Sequence, residues 1–402
     1  MAKTTSQTLR KELLGFKEFG TSTQCAELAA GGTMVPVYIN EYWTAKQRAA
    51  SNLHEVPYRA CFKPQLPRFF IERLTRPGDR VYDPFMGRGT TLIEAALMGR
   101  RVAGCDVNPL AATLAEPRLA PPAQDDVLAK LESLDLTGHA EVNEDLAPFY
   151  HIDTLGQIQA LRRYFLNREL DAVDKWIRMV ALTRLTGHSP GYFSVYTLPP
   201  NQAVLPGRQR LINEKRAQVP EFRDVKALIA RKSAQLLKEL TKEQLKHLHS
   251  SDRILLTSEA SQTQALADNS VSLVVTSPPF LNVVDYKTDN WLRCWFLGID
   301  AATVQISQIK KLTEWQQTMT RVFHELARVI KPGGHIAFEV GEVAGGTIRL
   351  EEASIPCGIA AGLEPDLVLI NAQEFTKTAN CWGIANNDKG TNTNRIILFR
   401  KP

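Results

Sequence analysis

Thr276-Ser277-Pro278-Pro279-Phe280 combines residue types suited to handling an amine on an aromatic ring. The segment follows the apolar run Val271 to Val275, which reads as a buried strand. Two prolines directly after a strand make a rigid turn, because each ring fixes φ and removes a backbone donor. With no N–H to donate they end the ladder, and their carbonyls remain as acceptors. The Ser277 hydroxyl adds a further acceptor, and Phe280 adds a flat apolar face. Acceptors beside an aromatic plate suit an amine carried on a stacked ring. The competing reading is a strand-ending turn with no chemistry.

A second segment, Asp83-Pro84-Phe85-Met86-Gly87-Arg88-Gly89-Thr90-Thr91, also follows a short apolar strand, Arg80 to Asp83. Glycines there let a backbone pass close to a ligand, and the following helix N-terminus favours an anionic group. Asp83 is suited to an ammonium. The dinucleotide fingerprint G-x-G-x-x-G fails, because its third position is Leu92. Asp106 ends the next strand, 23 residues after Asp83, where a carboxylate can accept both hydroxyls of a ribose. An amine, a carboxylate and a ribose together describe S-adenosylmethionine better than a nicotinamide dinucleotide.

The D-P-F-x-G-x-G-T-T turn and the T-S-P-P-F loop resemble motifs I and IV of the DNA amino-methyltransferases, which modify N4 of cytosine or N6 of adenine. The resemblance implies that Ser277 and the Pro278 carbonyl accept hydrogen bonds from the target amine, that Phe280 stacks on a flipped base, and that Pro279 completes the loop. It assigns Asp83, Pro84, Phe85, Gly87, Gly89, Thr90, Thr91 and Asp106 to the cofactor. His54 and the run Lys63 to Pro67 resemble motif X, adding Lys63 to that pocket. Ser258-Glu259-Ala260 resembles motif III, whose acid reads the adenine amino group of the cofactor, with Glu259 where Asp is more usual. A leading Ser in the T-S-P-P-F loop is the pattern associated with cytosine N4; adenine N6 is the alternative.

The elements that must position these residues follow a βαβ pattern: strands at 80–83 and 101–106 around a helix at 90–98, then strands at 254–257, 272–276, 335–340, 367–371 and 395–399, with a helix at 312–330. The first 50 or so residues read as irregular. The expected fold is α/β: a Rossmann-like class I methyltransferase with a mostly parallel seven-stranded sheet, split by an inserted, mainly helical target-recognition domain. The expected division is an N-terminal extension (1–50), the cofactor half (51–118), the insertion (119–250) and the catalytic half (251–402). With 44% hydrophobic residues the chain is long enough for a large α/β domain and a smaller one with its own core.

Charge is uneven. The net charge is +5, yet residues 161–250 hold 17 Lys and Arg against 8 Asp and Glu, leaving the rest net acidic. A basic stretch inside the expected recognition insertion points to duplex DNA as partner. Candidates for base or backbone contact there are the run Thr186 to Phe193, with His188 foremost, and Gln202. Arg208, Arg210, Lys215 and Arg216 are candidates for phosphate contact. The six scattered cysteines form no C-x-x-C pair, so a zinc site and a disulfide framework are not expected, and a reducing cytoplasm fits. No membrane association is expected, since no apolar run reaches the roughly 18 residues needed to span a bilayer. The resemblance also admits a cognate restriction endonuclease acting as a separate protein. Three rival classes are an RNA base methyltransferase, a catalytically silent DNA-binding protein and an NAD-dependent oxidoreductase. The paired motifs and the glycine spacing argue against the last two. The absence of a recognisable RNA-binding domain before the first strand argues against the first.

Overall fold

A computed structural model describes residues 6–44, 50–58, 61–137, 141, 143–198, 203–279, 286–300, 304, 309–343, 348–372 and 393–402. Its strands are β1 (Gln24–Ala30), β2 (Thr33–Asn40), β3 (Arg80–Asp83), β4 (Arg101–Asp106), β5 (Arg253–Thr257), β6 (Val271–Thr276), β7 (Ile330–Val340), the short pair β8 (Glu342–Val343) and β9 (Ile348–Arg349), β10 (Glu364–Ala372) and β11 (Thr393–Arg400). The helices are α1 (Ser6–Gly15), α2 (Gln65–Leu74), α3 (Thr90–Leu97), α4 (Pro109–Ala115), α5 (Gln124–Ser133), α6 (Ile152–Leu166), α7 (Ala172–Arg184), α8 (Pro206–Arg216), α9 (Val225–Leu237), α10 (Lys242–Ser250), α11 (Tyr286–Leu297), α12 (Leu312–Val329) and α13 (Leu350–Ala360).

One sheet runs in the order β1-β2-β10-β11-β7-β6-β3-β4-β5. The β7-β6-β3-β4-β5 block is parallel throughout, and β11 runs antiparallel between β7 and β10. This is the expected Rossmann-like arrangement, with two differences. Among the described residues the sheet has nine strands and not seven, and the extra two come from the segment read as irregular. β1 and β2 form a hairpin, and β2 extends the sheet by pairing parallel with β10. The hairpin escaped detection because β1 (Gln-Cys-Ala-Glu-Leu-Ala-Ala) is largely exposed, so no apolar alternation marks it.

The central strands are apolar on both faces, as parallel strands covered by helices must be. Val81, Leu273 and Val275 point into one core, while Tyr82 and Val274 point into the other. The first core is shared by α2, α3 and the inserted helices: Phe70 and Ile93 belong to the same cluster as Trp176, Val180 and Ile229. The apolar interior of the inserted helices is therefore continuous with that of the cofactor half. Helices α5, α7 and α9 pack on one another, and α7 and α10 also reach the cofactor half through α4 and α3. The second core is closed by α12 and α13 around Trp315, Phe323 and Phe338. Among the described residues no helix is long and apolar enough to cross a membrane.

Candidate active site

Parallel neighbours end on the same side of a sheet, and ligands of open α/β sheets bind outside those carboxyl ends. β3 lies between β4 and β6, with Tyr82 opposite Val274 and Asp83 opposite Gly104. The glycine turn after β3, Asp106 at the end of β4 and Ser277 after β6 are thus brought to one edge from three chain regions. Glu259, just past the end of β5, stands exposed on the same edge, beside β4 through the Asp106–Thr257 pairing.

The glycine turn is built for close backbone approach. Gly87 (φ 47°) and Gly89 (φ 78°) both occupy the left-handed region that L side chains rarely adopt. A Cβ at Gly89 would lie 2.8 Å from the Ala115 Cβ, so that position also lacks room. Gly89 is the N-cap of α3, and Met86 N donates to the Cys105 carbonyl at 2.9 Å, pinning the turn to β4. Asp106 accepts from Gly87 N at 3.0 Å and from Asn108 N at 2.9 Å. Each of its oxygens retains a lone pair for a hydroxyl donor. Burial raises the Asp106 carboxyl above its ordinary value. A left-handed glycine loop, a helix N-terminus and a partly exposed carboxylate form a donor and acceptor set that fits S-adenosylmethionine. Tyr58 covers the loop, its ring edge 3.4 Å from where a Gly87 Cβ would stand.

Asp83, the acid suited to an ammonium, lies deep at the base of the turn. It is 1% exposed, and its Oδ1 accepts from the Thr276 hydroxyl at 2.6 Å and from Phe85 N at 3.1 Å. Burial is the dominant influence and pushes its carboxyl up to about 7. The Thr91 hydroxyl donates to the Val275 carbonyl at 3.0 Å. Asp83 and Thr91 are therefore struts that lock the cofactor turn to the strand leading into Ser277. Pro84 and Thr90 are buried in the same turn, while Phe85 is partly exposed at its rim.

The motif X-like segment is fastened to this turn by two arginines that the sequence reading did not single out. Arg88 donates to the carbonyls of His54 and Val56, at 3.2 and 2.9 Å. The fully buried Arg118 donates to the carbonyls of Leu53, at 2.9 Å, and Arg88. Burial lowers Arg118 to about 9. His54 itself is buried against Glu94 at 2.7 Å, and Lys63 is exposed ahead of α2.

The catalytic-loop candidate gains two further partners. β6 pairs with β7 so that Thr276 faces Phe338, which sets Ser277 beside Glu339. The Ser277 side chain stands close enough to the Glu339 carboxyl to favour its charged form, and Asn394 Nδ2 donates to Glu339 Oε1 at 3.0 Å. Glu339 is 8% exposed, and burial raises its carboxyl. The other partner is Trp315, whose Nε1 donates to the Pro279 carbonyl at 3.0 Å. Pro278 is buried, while Ser277 and Pro279 are partly exposed. Phe280 lies outside the described residues. An acid inside the apolar run His335 to Val340 was the available signal for Glu339, since charged residues are rarely buried without a purpose.

In the insertion, Arg208, Arg210, Lys215 and Arg216 all lie on α8, which buries only Gln209. Arg210 reaches the Glu144 carbonyl at 2.8 Å, and Arg216 stacks over the Tyr196 ring. Gln209 and Gln218 hold the helix down through the Tyr196 carbonyl. The two residues ahead of α8's N-cap Leu205 are fastened to the catalytic half: Ala203 N donates to the Asp289 carbonyl at 3.3 Å, and Trp291 Nε1 to the Val204 carbonyl at 3.1 Å. His188 is exposed near the Tyr192 ring. Phe193 is wholly buried in the core. Gln202 lies outside the described residues.

Sheet order, glycine turn and acidic strand end together define a Rossmann-like methyltransferase fold. Residues 30–117 match the family model described as DNA methylase of the N6/N4 type, and the resemblance to the S-adenosylmethionine-dependent DNA amino-methyltransferases is borne out. The chain is 37% identical over 76 residues to the Type II methyltransferase M.MjaII of Methanocaldococcus jannaschii, a match covering 19% of this chain and 14% of that protein. It is 23% identical over 279 residues to M.BsoBI of Geobacillus stearothermophilus, covering 62% of this chain and 53% of the relative. It also matches the tRNA (guanine(10)-N2)-dimethyltransferase of Methanothermobacter thermautotrophicus, 36% identical over 85 residues, 18% of this chain and 25% of that protein. The chain thus spans about half or less of the length of these relatives.

Proposed function

We propose that this chain transfers a methyl group from S-adenosylmethionine to an exocyclic amine of a base in duplex DNA, with cytosine N4 as the target and adenine N6 as the alternative. The observation that carries the reading is the register of β6 on β7, which sets Ser277 beside the buried Glu339 at the edge where the glycine turn ends. A ring amine is a poor nucleophile because its lone pair is delocalised. With the Glu339 carboxylate placed to take its proton, Ser277 would keep its lone pairs as acceptors for an incoming amine proton. The Pro278 carbonyl is the second acceptor. Together they draw the two amine protons out of the ring plane and localise the nitrogen lone pair. When bound, S-adenosylmethionine supplies an electrophilic methyl. The chain contributes position, through the Asp83–Thr276 and Thr91–Val275 ties that hold the cofactor turn against the acceptor loop. A base reaches this edge only by leaving its stack, and a stacking Phe280 would offset part of that cost. The exposed cations of α8, on a helix fastened to the catalytic half, support docking of a phosphate backbone there.

The leading serine favours cytosine N4 through the family pattern. The tRNA-modifying relative supports an RNA substrate as a second reading. Both are resolved by transfer of labelled methyl from the cofactor to duplex DNA or to tRNA, followed by nucleoside analysis. We expect N4-methylcytosine from DNA, and no transfer by Ser277→Ala, which still binds cofactor. Label in N6-methyladenine selects the alternative, label in tRNA alone overturns the DNA assignment, and an active Ser277→Ala overturns the site.

A further inference from the structure

The acceptor loop has a fixing problem that its own backbone cannot solve. Pro278 and Pro279 carry no N–H, so hydrogen bonds can hold the dipeptide only through its two carbonyls. On the reading above, the Pro278 carbonyl must stay available for the substrate amine. The Pro279 carbonyl is then the anchoring point, and it is taken by the indole N–H of Trp315 at 3.0 Å. Trp315 is fully buried in the first turn of α12, inside the core formed with Met319 and Phe323. Indole is a donor with no acceptor function, so a buried tryptophan calls for one fixed acceptor. A rigid ring of this size, clamped by a packed core, transmits the position of α12 to the loop.

We propose that Trp315 is a positioning residue for methyl transfer, holding the Pro279 carbonyl so that the Pro278 carbonyl and Ser277 Oγ present a fixed pair of acceptors. This inference rests on the assignment of residues 277–279 as the acceptor loop. A displacement of the loop by about 1 Å would lower the transfer rate about a hundredfold with little effect on ground-state binding.

The test uses the full chain and a matched control. Trp176 is as buried as Trp315, and its indole donates to Ser233 Oγ at 3.0 Å, within the inserted helices. Trp315→Phe and Trp176→Phe each remove one buried indole donor. Single-turnover transfer to duplex DNA, the Kd for S-adenosylhomocysteine, the Kd for DNA and the melting temperature are measured for both. The expected result is a loss of transfer rate in Trp315→Phe of about ten- to a hundredfold, with both Kd values kept, while Trp176→Phe melts lower by a similar amount and keeps its rate. If Trp315→Phe does not fold, benzothienylalanine at position 315 keeps the ring shape and replaces only the N–H. Equal rates for the two variants, or a full rate with benzothienylalanine, overturn the proposal. Ser277→Ala, run in parallel, separates the two levels. An active Ser277→Ala refutes the loop assignment itself, whereas an inert Ser277→Ala with a fast Trp315→Phe refutes only the positioning role.

Discussion

Glu339→Gln tests how the loop acquires its acceptor character. Asn394 Nδ2 already donates to Glu339 Oε1. In the variant, the glutamine carbonyl oxygen would take that bond, leaving the amide NH2 to face Ser277. The serine then accepts where it formerly donated, one of its lone pairs is consumed, and its proton turns toward the substrate amine. A hydrogen bond to a charged group contributes about 1.5–3 kcal/mol. Losing it specifically in the transition state lowers the single-turnover rate roughly ten- to a hundredfold. The assay is single-turnover transfer with saturating cofactor and duplex DNA across pH, with cofactor affinity measured separately. The wild-type rate should fall as pH drops through the raised Glu339 value, because protonation removes the acceptor for the serine proton. Glu339→Gln should be slow at all pH values and lack that acid limb. A variant with the wild-type rate and the wild-type acid limb refutes the reasoning.

Other perturbations follow from the same geometry. The Asp83 carboxyl is raised from 3.8 to about 7 in the folded chain, so the folded state holds a proton that the unfolded state releases first. Stability attributable to this group is lost as pH rises from about 4 to about 7, by a few kcal/mol at most. The melting temperature of Asp83→Asn should therefore gain on the wild type across that window and run parallel above it; calorimetric profiles parallel throughout would contradict this. Gly89→Ala places a Cβ 2.8 Å from Ala115 Cβ at φ 78°, and should cost about 1–3 kcal/mol and weaken cofactor binding, read by denaturant melts and calorimetric titration. Arg208→Ala and Lys215→Ala should each flatten the salt dependence of DNA binding by about one unit of log–log slope, with cofactor affinity unchanged. An unaltered slope would remove α8 from the DNA interface.

The sequence by itself determined the two loops and the strands that deliver them. Proline pairs, left-handed glycines and apolar strand runs are local properties, readable wherever they occur along a chain. Asp83-to-Thr91 and Ser277-to-Pro279 were legible for that reason, as were β3, β4, β6 and α12, to within a few residues at their ends. Tertiary structure decided what depends on neighbours distant in the chain. The register of β6 on β7 sets Glu339 beside Ser277, 62 positions apart. The packing of α12 delivers the Trp315 indole to Pro279. Burial ties Asp83 to Thr276 and places Phe193 in the core. The basic insertion announced its charge, but only folding showed its helices sharing a core with the cofactor half. Side-chain chemistry is written residue by residue, whereas register, burial and the pairing of buried donors with acceptors arise only when the whole sheet closes on its helices.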